Sequence, residues 1–586
     1  MPTLEAKYTF GLHAKSGGTM RRSVRVVTVV VTATLAATLA VTSRPASSAD
    51  AGSESAGGSF VVLADDAGRV DDVVRAIELA GGKVNRVNRA IGLVSATGGV
   101  SFATSVNAAG GVAGVARDTP IGSARTTSVS RRDAVEREAH TSGLSLATAA
   151  APAAPIAGEP LSSWQWDMRM MDATPAGSYA RQPGRRDVLV GIIDTGIDGN
   201  HPDIAPNFNR ALSRNFTRDI ESIDGPCADE PDQSCDDPAD VDEDGHGTHV
   251  AGTIGSPING LGMAGVAPNV SLVNLRAGQD SGYFFLAATV DALTYAGDHG
   301  IDVVNMSFFI DPWLYNCKKN AADSPAEQAE QRTIIRATQR ALDYARARGV
   351  TLVAALGNEH QDMGAKLKLD ETSPDFPVGA QRSREVTNDC LDLPTEADGV
   401  IGVSSVGPSG KKADYSNHGL EQNDVAGPGG FFRDFIGTPQ NRQPANLILG
   451  PYPKNVALAS GAVDLTSGQS MSPFVIAECL APGVANCAYY RLIQGTSMAA
   501  PHAAGVAALI ISERGRLDRV HGGLTMDPDK VEKILLASAT DTACPSALVT
   551  YAAEGRDSTY DAPCVGRANR NSIYGDGVVN ALRAVR

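Results

Sequence analysis

No CxxC pair occurs anywhere in the 586 residues, and all eight cysteines lie from Cys227 onward. Zinc-ribbon and thioredoxin-type chemistry therefore have no support. Positive charge is scarce too. The chain has 51 Lys and Arg against 66 Asp and Glu, a formal net charge of −15, which argues against nucleic acid or an anionic membrane surface as a partner. Neither an internal repeat nor a coiled-coil heptad is present, so the length has to be accounted for by two or three globular units.

The N-terminal region reads as an export signal. Met20-Arg21-Arg22-Ser23-Val24-Arg25 is followed by 18 uncharged residues, Val26 to Ser43, and then by Ser47-Ser48-Ala49. A basic start, an apolar centre and small residues before the cut predict a signal peptide over 20–49, with 1–19 upstream of a candidate start at Met20. A retained anchor is the alternative, but the stretch is rich in Ala and Thr and barely long enough to span. Export predicts a secreted, extracellular protein. In that setting an even cysteine count suggests disulfides, with roughly a hundred connectivities open.

Residues 50–122 alternate short apolar runs with helical stretches: Ser59 to Ala64, Asp71 to Ala80, Ile91 to Ala96, Ser101 to Ala108 and Gly114 to Arg117. This order suits a small ferredoxin-like α+β unit. Its place before a larger body favours a propeptide. Residues 123–163, rich in Ala, Ser, Thr and Pro, read as a linker with a processing region and no periodic pattern to bury. From 164 to 586 the pattern is βαβ: the strand Val188 to Ile193, the helix Ala287 to His299 before the strand Ile301 to Met306, and the helix Ile334 to Arg348 before the strand Val350 to Ala355. The predicted fold class is α/β, a doubly wound, mostly parallel sheet with helices on both faces.

Three segments carry chemistry. Gln494-Gly495-Thr496-Ser497-Met498-Ala499-Ala500-Pro501-His502 places Ser497 at the head of a helix made of small residues, where first-turn N–H groups favour developing negative charge. Asp194 ends the first strand of the sheet, and His246 sits 52 residues on in Asp244-Gly245-His246-Gly247-Thr248-His249. A strand-end carboxylate can hold an imidazole in one tautomer. Singly, these residues also suit an N-cap serine, an ordinary strand-end aspartate and a packed histidine.

Together the segments resemble the subtilisin-like serine peptidases, in the chain order Asp, His, Ser. The likeness extends to Gln165-Trp166-Asp167-Met168, Val304-Asn305-Met306-Ser307, Ala354-Ala355-Leu356-Gly357-Asn358, Ala413-Asp414-Tyr415-Ser416-Asn417 and Tyr574-Gly575-Asp576-Gly577. The resemblance implies Ser497 as nucleophile, His246 as general base and acid, Asp194 as its orienting carboxylate and Asn358 as oxyanion donor. It also implies a zymogen whose own propeptide is an intramolecular inhibitor removed autocatalytically, a monomer without stable membrane association, and protein or peptide substrates. By equal spacing it further implies a structural calcium site at Asp203 and Asn259, completed by the loop carbonyls of Pro257, Leu261 and Met263.

Rival readings have gaps. His246 and His249 form an HxxH without the spacing or glutamate of a zinc peptidase helix, and Gly495-Thr496-Ser497-Met498-Ala499 lacks the second glycine of the hydrolase elbow. A catalytically silent binding protein would have no need to keep every one of these residues. Departures from the family remain. An acidic insertion from Asp224 to Asp244, with ten Asp and Glu and no Lys or Arg, reads as a solvated loop closed by Cys227 and Cys235, a calcium site being the alternative. Insertions at 308–333 and 430–493 are expected to rim the groove. The cysteines are expected to pair as sequence neighbours: Cys227–Cys235, Cys317–Cys390, Cys479–Cys487 and Cys544–Cys564. Glu359 suits either a basic substrate side chain or plain solvation. Phe309 replaces a family glycine and is expected to overhang the cleft, unless the insertion that follows buries it in a local core.

Overall fold

The computed structural model describes residues 58–118, 135–136, 138–142, 144, 158–229, 233–373 and 382–586. The expected signal peptide lies outside the described residues.

The first described unit is a four-stranded antiparallel sheet, β1 (Gly58–Ala64), β2 (Lys83–Asn88), β3 (Leu93–Gly98) and β4 (Val112–Arg117), in the order β2-β3-β1-β4, with helices α1 (Val70–Leu79) and α2 (Phe102–Asn107). β1 is apolar on both faces because both are covered. Val62 and Ala64 face Val70, Val73, Ile77, Phe102 and Val106 in the unit's own core. Val61 and Leu63, with Ile91 and Leu93, pack into the core of the larger body. Strand alternation thus divides one short run between a private core and a docking face. β2 is not marked in the sequence because its residues, KVNRVN, are mostly polar and none is fully buried.

The larger body is built on a seven-stranded sheet in which every pairing is parallel: β5 (Leu189–Ile193), β6 (Arg214–Asn215), β7 (Ser271–Arg276), β8 (Val303–Met306), β9 (Thr351–Ala355), β10 (Val400–Val406) and β11 (Val425–Pro428). Their order is β11-β10-β9-β8-β5-β7-β6. β5 therefore lies between β7 and β8, and the sheet grows outward from it in both directions. Its carboxyl end is the switch point at which doubly wound sheets open a crevice.

The helices that matter for the site are α3 (His246–Gly255) and α6 (Thr496–Arg514), both buried; α4 (Leu286–Asp298) and α5 (Pro325–Arg346) receive the first unit. α5 begins well before the expected Ile334. Its start is a capping box, with Ser324 Oγ accepting the Glu327 N–H and Glu327 Oε2 accepting the Ser324 N–H. Between β11 and α6 lies an antiparallel sheet of β12 (Ile448–Tyr452), β13 (Val475–Cys479) and β14 (Cys487–Ile493), with β14 in the middle. The four neighbour disulfides form, Cys479–Cys487 across the β13–β14 hairpin. Among the described residues no helix is long and apolar enough to cross a membrane.

Candidate active site

Asp194 follows β5 at the switch point, fully buried, and its Oδ1 accepts the His246 Nδ1 proton at 2.7 Å. His246 is the first residue of α3. The residue before it, Gly245, has φ 95°, and a side chain on Gly247 would meet the Gly196 carbonyl oxygen at 2.1 Å. Only a helix that starts with glycine on both sides of the histidine can settle onto the turn after Asp194.

Sequence reasoning missed what fixes that helix start. Asp242 accepts the N–H groups of Gly245 at 2.8 Å and Thr248 at 3.0 Å, and the hydroxyls of Thr248 at 2.5 Å and Thr195 at 3.2 Å. A carboxylate there satisfies first-turn donors at the positive end of the helix. The acidic insertion is therefore only partly a solvated loop. Asp242 and Asp237 are buried, and Asp237 joins Asp219 and Asp280 around the buried Arg276 guanidinium. Spacing alone does not distinguish such a carboxylate from its exposed neighbours.

Ser497 is in the first turn of α6, and its hydroxyl donates to the Ser307 carbonyl at 3.4 Å. Asn358 follows β9. Its Oδ1 accepts the Thr496 N–H and the Thr496 hydroxyl, each at 2.9 Å. With the oxygen engaged, the amide nitrogen is the end that remains for the cleft, and a side chain on Gly495 would stand 3.6 Å from it.

A carboxylate from the linker occupies the same space. Glu136 is 3% exposed, and its Oε1 lies 3.4 Å from His246 Nε2. Its Cγ is where a Gly495 side chain would make contact, at 3.2 Å. Burial opposes a charged imidazole, but Asp194 and Glu136 together outweigh it and raise His246 to about 10. The neighbouring residues follow the groove. Gln494 Nε2 donates to the Val135 carbonyl at 3.2 Å, Ala139 is fully buried among Met263, Phe432 and Leu449, and the His140 ring stacks on Phe474 at 4.6 Å. The linker has no periodic pattern to bury, yet this short piece is buried because it fits a groove rather than a core.

His249, one turn after His246, donates Nε2–H toward the carbonyls of Ile448 at 3.1 Å and Arg491 at 3.2 Å. Burial lowers it to about 3, which keeps it a neutral brace between α3 and the β12–β14 sheet. Phe309 is half-buried against Leu314, Tyr315, Met363 and Val386, the local-core alternative. Glu359 accepts from Asn417 Nδ2 at 2.8 Å, which holds it beside the Gly357 turn.

The expected calcium residues are brought together, but with the wrong polarity. Asp203 Oδ1 accepts from Asn259 Nδ2 at 3.1 Å, and Oδ2 accepts from the Met263 N–H at 2.9 Å and the Tyr490 hydroxyl at 3.1 Å. The Gly260 and Gly262 N–H groups, on either side of Leu261, go to Glu159 and Glu478. Burial lifts Asp203 to about 7. Calcium needs oxygen lone pairs, whereas the loop from Pro257 to Met263 turns N–H groups toward these carboxylates, so the residues as arranged do not fit the ion.

A doubly wound sheet with an Asp–His pair at its switch point and a serine heading the adjacent buried helix defines a serine hydrolase. The profile of the Peptidase_S8 subtilase family matches residues 185–577, more than half of the chain. The chain belongs to that family and is a subtilisin-like serine endopeptidase. It is 27% identical to subtilisin DY of Bacillus licheniformis over 56% of this chain and 77% of that protein. It is 24% identical to thermitase of Thermoactinomyces vulgaris over 68% and 96%. Over 64% of its length it is 25% identical to the nisin leader peptide-processing protease of Lactococcus lactis, of which it spans 47%. In fold it is similar to the crystal structure of the epidermin leader peptide-processing protease of Staphylococcus aureus, with TM-score 0.57, 20% identity, and coverage of 90% of this chain and 98% of that one.

Proposed function

We propose that Asp194, His246 and Ser497 form the catalytic triad of a secreted peptidase made as a zymogen and activated by cutting its own linker. The observation that carries this reading is the 2.7 Å bond from His246 Nδ1 to Asp194, with Glu136 reaching both His246 Nε2 and the Gly495 turn that precedes Ser497. Once a substrate displaces Glu136, neutral His246 takes the Ser497 proton as Oγ adds to the scissile carbonyl. The oxyanion is received by Asn358 Nδ2 and the Ser497 N–H. The imidazolium then protonates the departing amine, and water, deprotonated by His246, releases the acyl group.

While Glu136 is seated, a histidine raised to about 10 is protonated near neutrality and cannot act as a base, so the first cut waits until the linker shifts its Glu136 carboxylate off His246. The intact linker thus supports latency as well as occupying the groove. Ser497→Ala, expressed in a host lacking other proteases, is expected to keep residues 50 to about 122 attached. Normal processing of that variant would remove self-cleavage from the reading. Casein hydrolysis blocked by a serine-directed reagent is the companion test in the wild type.

Calcium enters the reading only through the family pattern. Because Asp203 and the 257–263 loop are paired among their own groups, a chelator is expected to leave Tm unchanged. A lowered Tm would mean that the loop turns its carbonyls inward around an ion, since a bound ion stabilises by mass action.

A further inference from the structure

Two residues after Glu136, the linker places a second carboxylate in a different setting. Glu138 Oε1 accepts from Arg433 Nε at 2.8 Å and is also paired with Arg433 Nη2. Its Oε2 accepts from Arg556 Nη2 at 2.9 Å and from Gln494 Nε2 at 3.4 Å. Arg433 and Arg556 are less than one-fifth exposed, at 17% and 18%. Behind them lies Asp414, fully buried, 2.5 Å from Arg556 Nε and 3.9 Å from Arg433 Nε. Of the other acids nearby, Glu554 is paired with Lys411 and gives Arg433 only its backbone carbonyl, and Asp557 feels Arg556 without an ion-pair contact to it.

The charges at this spot do not balance without the linker. Two guanidinium groups and Asp414 leave one unit of positive charge, and Glu138 cancels it. Both arginines also have partners outside the linker. Arg556 sits on Asp414 and over the Tyr560 ring, and Arg433 on the Glu554 carbonyl. A largely buried pair of guanidinium forks is a receptor for a carboxylate and rejects an ammonium group. Gln494, which closes the pocket, is three residues before Ser497. The pocket therefore belongs to the substrate groove and not to a remote surface.

We propose that Arg433 and Arg556 form a substrate subsite that selects an acidic side chain, Asp or Glu, two residues C-terminal to the one placed against His246. The substrates are then peptides with an acid at that position, and the linker is held because it mimics them. This deepens the peptidase reading and rests on it.

The test has two arms on the full-length chain. In the first, matched peptides carrying Glu, Gln or Lys at that position are cut by the processed wild type and by Arg433→Gln. The Glu peptide is expected to exceed the Gln peptide in kcat/KM by roughly tenfold or more and the Lys peptide by more still, with Arg433→Gln bringing the Glu-to-Gln ratio within about twofold. In the second, hydrogen exchange of residues 135–142 is followed in Ser497→Ala. Glu138→Arg should deprotect the segment, and Glu138→Arg with Arg433→Glu should restore protection. Equal cutting of all three peptides, or a charge swap that restores nothing, overturns the subsite. Restored protection in the charge-swapped Ser497→Ala chain, together with a wild type that cuts none of the peptides, upholds the carboxylate-binding pocket and overturns the peptidase reading instead.

Discussion

Asn358 shows how a single side chain acquires a direction. The amide has one accepting end and one donating end, and Thr496 takes the accepting end twice, through its N–H and its hydroxyl. What is left for the cleft is the donor, which is the end an oxyanion needs. Asn358→Ala is expected to lower kcat by about 100- to 1,000-fold with little change in KM, because the bond to a developing oxyanion is worth about 3 kcal/mol only in the transition state. A variant whose KM rises while kcat holds would place Asn358 in ground-state binding. The segments of Asp194, His246 and Ser497 stand out in the sequence because glycines and small residues flank each, whereas Asn358 is picked out only by the family resemblance. Glu136, Glu138, Arg433 and Arg556 were not legible. They meet across separations of 110 to 418 residues, and no local pattern marks them.

At the level of elements, α5 is where the first unit is held. Arg340, in the C-terminal half of the helix, donates to the carbonyls of Ala64 at the end of β1 at 2.7 Å, of Asp65 just past it at 2.7 Å and of Ile91 in the turn before β3 at 3.4 Å. Around it Val61, Leu63, Ile91 and Leu93 pack toward α4 and α5, and Arg117 pairs with Glu330 at 3.0 Å. Arg340→Ala leaves the buried carbonyls of Ala64 and Ile91 unpaired and should weaken docking of the first unit by about 2 to 4 kcal/mol. In Ser497→Ala this would appear as faster hydrogen exchange in β1 and β3 without a change in the large sheet. Equal acceleration throughout would mean that Arg340 serves the whole fold. The helical period of α5 was legible only from Ile334, where the apolar stripe becomes regular. Its first turns are polar and are announced instead by Ser324, Pro325 and Glu327. Of the parallel strands, β5, β8 and β9 were legible because burial on both faces leaves unbroken apolar runs, whereas β6, β7, β10 and β11 were not read from the sequence. Nor was β2, because one exposed edge strand buries too little to force a pattern.

Across the whole molecule, two distant groups make retention of the first unit and its linker respond to pH in the same direction. Asp118, at the end of the first unit, accepts the Ala287 N–H at the head of α4 at 3.1 Å; burial, with Asp291 nearby, lifts it to about 6. His246 is raised to about 10 against Asp194 and Glu136 despite its burial, and only Asp194 remains when the linker leaves. Both groups therefore hold a proton more tightly in the docked chain than in the opened one. A raised folded-state value means stability that is present at low pH and lost as pH rises through that value. Docking should weaken first as Asp118 ionises up to about 6, and again as His246 loses its proton on the way to about 10. Each group contributes at most about 1.4 kcal/mol per pH unit. Hydrogen exchange of β4 and residues 135–142 in Ser497→Ala, corrected for the intrinsic pH dependence of exchange, should show protection falling from about pH 4 to about pH 10. Asp118→Asn should flatten the acidic part and Glu136→Gln the alkaline part. Protection that stays level or grows with pH would mean that neither proton is taken up on docking, and latency would then rest on the packing of the groove alone.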